Sequence, residues 1–362
     1  MFDTTDLRAA VDAGVISRDQ AQRLEGFLEQ RAGGASASDP ETLRFLANFN
    51  DIFITVGLVL LISGVLLFSG LSSMGTAMRA PANAALFTLL PAAGLSWLLS
   101  EYFCARRRLL LPSMALAVMF SVTLGLAVAA LAGSDEAADL RSLTGIWQSL
   151  GSVGLWGFGA IAAASVAYFV RFRLPFALFI LALSIAALAY TGVSFFGDVG
   201  LVIGGLLSVL IGVATIGVAI GLDMSDPKRA TRKADYAFWL HLAAAPQIIF
   251  GLRGMISGFG AAPRSPEEAM ILLVALVGFA LLSLALNRRA LIASSLLSYG
   301  LALQVLVSNT GGGPVQTTVV TLLLLGSAIV LLGGGWSTAR RAVLGVLPRG
   351  GLFGRLFPPE PV

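Results

Sequence analysis

This chain is short of almost everything a water-soluble enzyme uses. It has one cysteine, Cys104, and one histidine, His241, in 362 residues. A single cysteine excludes an internal disulfide and any cysteine-rich metal site. One histidine with only distant acids cannot assemble a zinc site. No glycine-rich phosphate loop with its lysine occurs. Charge is scarce too: 12% of residues are Asp, Glu, Lys or Arg, against about a quarter in soluble domains. With 57% hydrophobic residues and a mean hydropathy of +0.86, the chain cannot present a wettable surface. Lipid must cover most of it, so its length is counted in spans of about 20 residues each.

What is present is a series of long apolar runs. Ten segments can be drawn, at 52–71, 82–100, 109–132, 152–170, 174–191, 198–222, 236–252, 269–287, 290–308 and 314–334. Each approaches or exceeds the roughly 17–25 residues a helix needs to cross the hydrocarbon layer. Helices are required because every backbone amide must be paired inside lipid. The expected architecture is an all-α, polytopic membrane bundle of about ten helices over 52–334. A small cytosolic unit at 1–33, a linker and interfacial segment at 34–51 and a basic tail at 335–362 complete it. Residues 1–50 hold no apolar core, so no cleavable signal peptide is expected, and the run from Ile52 serves as an uncleaved insertion signal.

The charges between the runs test the count. With residues 1–51 in the cytosol, twenty of the 24 basic residues fall on the inner side. Arg79, Arg141, Arg253 and Arg264 fall outside. This asymmetry is what the positive-inside bias gives for ten spans with both termini in the cytosol. The net charge of +4 therefore reflects topology and not a nucleic-acid partner.

Residues 1–33 read as helix, turn, helix. Gly14 sits where the first helix ends, and Ser17 with Gln20 forms a capping box for the second. Six acids against four arginines make the segment net negative, which excludes the phosphate contacts of a DNA-reading motif. A docking or oligomerisation role, with a cytosolic protein or a second copy as partner, is the functional reading. Residues 32–40, "AGGASASDP", form a flexible linker. "ETLRFLANFND" then leads into the first span as a helix at the membrane surface. The tail mixes arginines with Leu344, Leu347, Leu352, Phe353 and Phe357, which suits either a segment lying on the anionic inner leaflet or an unstructured tail.

Three stretches carry a resemblance: "AAVDAGVISRDQAQRL" near the N-terminus, "FNDIFITVG" at membrane entry, and "DYAFWLHLAAAP" with Asp235, Trp239, His241 and Pro246. Together they resemble a group of multi-span bacterial membrane proteins of unknown function, those with domain of unknown function 2157. The resemblance implies a bacterial cytoplasmic (inner) membrane. It implies no activity, substrate or cofactor.

Little in the sequence supports catalysis. The acids nearest the membrane are read as Asp51, Glu101, Asp198 and Asp235, none of them deep, which argues against an ion-coupled pump. No nucleophile, acid and base fall together, so no enzyme, metal or cofactor is expected. The polar groups in the seventh run stand out instead. His241 is expected some 7–8 Å inside the inner boundary and Gln247 near the midplane, at about 1.5 Å per residue. Pro246 frees the carbonyl of Leu242 and should bend the helix. Free carbonyls and amide side chains at mid-membrane are how broken-helix binding sites are built. Tyr299 and Gln304 of the ninth run, with Ser294, Ser295, Ser298 and the threonines of the tenth, are possible partners. His241 has two readings, an interhelical hydrogen bond or a solute-facing, pH-sensing group. Gly204, Ser208 and Gly212, then Gly217 and Gly221, follow a four-residue spacing that suits close helix packing or a hinge. Pro91 with Pro246, and Pro175 with Pro314, recur at matching places in two sets of five spans, as in an inverted repeat. Two function classes follow: a transporter or facilitator of a small solute, or a membrane scaffold or sensor acting through residues 1–33.

Overall fold

The structure is a computed structural model of the full chain, and it describes residues 11–24, 49–77, 81–133, 143–193, 196–226, 231–256, 265–288, 300, 303–308, 311 and 313–346. The chain divides into two units, Met1–Arg44 and Phe45–Val362.

In the first unit the turn chemistry is visible. Gly14 has φ +71° and its amide bonds Val11 O at 3.0 Å, a left-handed helix stop that glycine adopts without steric cost. Ser17 N donates to Gln20 Oε1 at 2.9 Å, and Gln20 N donates to Ser17 Oγ at 3.2 Å. This is the reciprocal capping box, which satisfies two orphan amides at the start of the helix over 18–24. The surface helix expected before the first span lies almost wholly outside the described residues.

The second unit is a bundle of helices, and among the described residues it contains no strand. We label α1 (Phe49–Ala77), α2 (Pro81–Ser100), α3 (Leu110–Ala132), α4 (Leu143–Phe172), α5 (Phe176–Val193), α6 (Gly197–Ser225), α7 (Arg232–Ile256), α8 (Pro266–Leu286), α9 (Pro314–Gly334) and α10 (Trp336–Val346). A π-helical turn, Glu101–Arg106, extends α2. Eight of these helices are long and apolar enough to cross a membrane: α1 to α6, α8 and α9. The protein is thus an all-α, polytopic membrane bundle. The expected seventh span is α7, which is 25 residues long but too polar to be recognised by composition. The expected ninth, 290–308, lies outside the described residues except for 300 and 303–308. The expected tail begins as the short helix α10, with arginines on a helix that also carries Trp336, Val343 and Leu344.

Hydroxyl groups inside the bundle mostly return to their own helix. Thr55, Ser96, Thr123, Ser165 and Thr215 each donate to the carbonyl four residues earlier. In lipid this satisfies the hydroxyl without needing a neighbour. Tyr168 is an exception: fully buried, it reaches from α4 to Ser100 Oγ of α2 at 2.9 Å and to Ser113 O of α3 at 3.1 Å.

The closest helix pair is α6 against α7. A Cβ added at Gly251 would stand 2.5 Å from the Gly205 carbonyl oxygen, and one at Gly212 would stand 2.5 Å from Ile248 Cγ1. Ser208 Oγ donates to the Gln247 carbonyl at 2.8 Å across the seam. Of the expected row, Ser208 and Gly212 lie on this seam, where Gly205 joins them, because backbones this near leave no room for a side chain; Gly204 packs instead against Tyr190 and Val193 of α5. The row stops at Gly212. Gly217 and Gly221, grouped with it by spacing, are exposed and meet nothing within 4 Å, so spacing alone does not place them in a helix contact.

Candidate functional site

α7 is the least apolar of the long helices and lies between α5, α6 and α8. Its buried residues include Ala237, Trp239, His241, Ala244, Gln247, Ile249, Gly251 and Gly254, which cover most of its circumference. Polar groups that lipid would reject are held inside the protein.

At the arginine-rich end, the helices α6, α7 and α8 bring Asp223, His241 and Arg288 together. Arg288 grips the Asp223 carboxylate with two nitrogens, Nε at 3.1 Å from Oδ2 and Nη2 against Oδ1. The Arg288 side chain is 3% exposed and that of Asp223 17%. His241 is fully buried, with Nδ1 2.8 Å from the Ala237 carbonyl and 3.9 Å from Asp223 Oδ2. Because a carbonyl can only accept, Nδ1 carries the proton here, and a neutral ring then accepts at Nε2. Its nearness to a carboxylate follows from helix geometry. Side chains lean toward the N-terminus of their own helix, so Asp223 on α6 and His241 on the antiparallel α7 lean toward one another.

The end of α8 is built to turn Arg288 inward. Asn287 takes the left-handed conformation, φ 52°, and closes the helix with its amide on Leu284 O. The Arg288 amide bonds Ser283 O at 2.9 Å, and Ser283 Oγ donates to the Arg288 carbonyl. Trp336 Nε1 of α10 donates to Asn287 Oδ1 at 2.8 Å and fixes the turn from outside.

This cluster corrects two sequence expectations. Asp223 was not among the acids expected near the membrane, because the hydropathy break at 223 reads as the start of a loop. α6 instead continues to Ser225, which keeps Asp223 within a span. Arg288 reads as a loop cation of the positive side, yet it is one of the most buried residues of the protein. The only sequence signal for the pair is that one acid and one arginine each lie at the end of an apolar run. The connection from α6 to α7 is also shorter than expected, and its described ends are tied together: Asp226 Oδ2 accepts from Thr231 N at 2.8 Å and from Thr231 Oγ at 2.6 Å.

The other expected site residues separate. Gln247 is 2% exposed on the α6 seam, and neither Nε2 nor Oε1 of its amide has a hydrogen-bond partner. Pro246 stands inside α7, which is helical on both sides of it. Trp239 is an aromatic core residue, 4.8 Å from Phe176 and 5.9 Å from Phe179 of α5 by ring centroids. Asp235 lies exposed in the first turn of α7, beside a cleft at the helix ends. Gln304 is exposed on the helical piece at 303–308, so it does not join His241 and Gln247. Tyr299 lies outside the described residues. His241 Nδ1 lies 3.9 Å from Asp223 Oδ2, and among the described residues no group of three His, Cys, Asp or Glu forms that could hold a metal ion.

Comparison with protein-family models gives no match, and comparison with curated proteins gives none either.

Proposed function

We propose that this protein is a transporter or facilitator for a small, uncharged or weakly charged polar solute in a bacterial inner membrane. The α6–α7–α8 seam is its solute site. The observation that carries this reading is the amide of Gln247. A buried amide without a partner costs about 1–3 kcal/mol, and a leucine of similar size would avoid that cost. Keeping such a group near mid-membrane fits a partner that comes and goes. The Asp223–Arg288 pair with His241 sits on the same seam toward the arginine-rich side, and that side is the cytosolic one by the distribution of arginines.

The test is access. With Cys104 replaced by serine and a single cysteine at position 247, a membrane-impermeant thiol reagent is applied from either side. The reading expects labelling that is slow, runs to completion and is faster from one side, as the seam opens and closes. Folded protein that never labels removes the reading.

A second reading has its own support. The capping box at Ser17 and Gln20 and the left-handed Gly14 make the turn and second helix over 11–24 a locally well-specified element. A scaffold or sensor would use that element to hold a cytosolic partner. Deletion of residues 1–33 then abolishes function while solute access to position 247 is unaffected.

A further inference from the structure

A second polar site lies at the same arginine-rich ends of the helices and takes the first turn of α7 as part of its wall. It is a cleft of ≈ 400 Å³ whose lining includes Arg108, Arg171, Arg173, Arg232, Asp235 and Cys104. Four guanidinium groups from three separate turns face one lined carboxylate. Arg171 is already engaged, by Nε at 2.9 Å and Nη2 at 2.6 Å to Glu101 of the π-helical turn. Arg173 stacks over the Phe169 ring at 5.8 Å. Among the described residues, Arg108, Arg173 and Arg232 form no ion pair.

The backbone around this cleft is unusual in two ways. α2 does not end as an α-helix but widens into the π-turn that carries Glu101 and Cys104, a feature that recurs at functional sites. Arg108 and Arg173 each follow a helix end in the left-handed conformation, with φ 54° and 52°. Glycine or asparagine fills such positions at low cost, as Asn287 does at the end of α8. Arginine there is strained, and its use at two turns that face one cleft selects for the side chain rather than the turn. The cleft is also at a defined depth. It lies where the spans Ala82–Arg106, Leu110–Ala132, Val153–Phe172 and Phe176–Val193 begin or end, the level of lipid headgroups.

We propose that this cleft binds a phosphate group, with Arg108, Arg173 and Arg232 as its ligands and Arg171, already paired to Glu101, in its wall. Guanidinium groups match phosphate oxygens in pairs of parallel hydrogen bonds, and several from different chain segments close around one anion. The phosphate comes either from an anionic phospholipid of that leaflet or from a soluble phosphate compound. The site shares with the proposed solute path only the first turn of α7, through Arg232 and Asp235.

Cys104 lines the cleft and is the only cysteine, so the native protein reports its own occupancy. The experiment follows modification of Cys104 by an uncharged maleimide in wild-type protein in maltoside detergent at fixed ionic strength. One arm adds phosphatidylglycerol and another adds inorganic pyrophosphate; phosphatidylcholine and sodium chloride are the references. Protection by phosphatidylglycerol alone assigns a lipid phosphate, and protection by pyrophosphate assigns a soluble one. Either slows the reaction roughly tenfold once the ligand is well above its Kd. In R108Q/R173Q/R232Q the protection disappears, whereas in R18Q/R23Q, which removes charge from the N-terminal unit, it persists. Equal rates in all arms for the wild type overturn the proposal without any variant. Equal protection in the triple variant and the wild type overturns it as well.

Discussion

α7 and α9 are both long helices of one membrane bundle, and they solve opposite problems. α9 is rich in leucine and valine and shows them to lipid: Val315, Leu323, Val330 and Leu331 are all largely exposed. The residues it buries are Thr317 and Thr321. α7 carries His241, Gln247, Asp235 and Arg253, and it is enclosed by its neighbours. In water the more apolar helix would take the centre. In lipid the order reverses, because the solvent is itself apolar and the interior is where polar groups find partners. The contrast teaches that in this chain low hydropathy marks the centre of the bundle.

The comparison can be broken in four places. The largest effect is expected at the buried ion pair. Arg288→Met strands the Asp223 carboxylate and should destabilise the bundle by about 3–5 kcal/mol. The double variant with Asp223→Asn should recover much of this, as measured by unfolding in mixed micelles. If single and double variants lose the same amount, the pair is not coupled.

Next comes the seam. Gly251→Val places a side chain where the Gly205 backbone lies and should cost about 1–3 kcal/mol. A melting temperature equal to that of the wild type would show that α6 and α7 are not this close. A smaller effect is expected in the N-terminal unit. Ser17→Ala removes the cap of its second helix at about 1 kcal/mol, read as faster amide exchange over residues 18–24 with no change in the bundle. The smallest is on α9. Gly326 meets nothing within 4 Å, so Gly326→Val should shift stability by less than about 0.5 kcal/mol. A large loss there would mean that α9 has a partner on its exposed face.

Most of the fold was legible because lipid imposes a simple code. Apolar runs of sufficient length mark eight spans, and Arg108, Arg171, Arg173 and Arg232 gather at one set of helix ends, whereas the seventh run, α7, is too polar to be marked by composition. The turn at Gly14 and the box at Ser17 and Gln20 were legible because capping is local. The site was legible only in part. His241 and Gln247 were visible as polar residues in an apolar run. Asp223 and Arg288 were not, because hydropathy assigns a charge at a helix end to the loop. Only the left-handed turn at Asn287, the reach of Trp336 and the lean of each side chain decide that these two charges face inward. Gln304 failed for a related reason: periodicity does not say which face of a helix meets lipid.

If the Gln247 amide is kept for a solute, it contributes nothing to holding the fold. The direct measurement compares wild type and Gln247→Leu in two assays on the same reconstituted protein. One is thermal unfolding, and the other is stopped-flow light scattering of proteoliposomes challenged with urea and with glycerol. A solute role for Gln247 predicts that Gln247→Leu is at least as stable as the wild type and loses the protein-dependent flux of whichever solute the wild type passes. A variant that unfolds earlier, or a wild type whose liposomes swell no faster than empty ones for either solute while a cysteine placed at position 247 stays unlabelled, contradicts it.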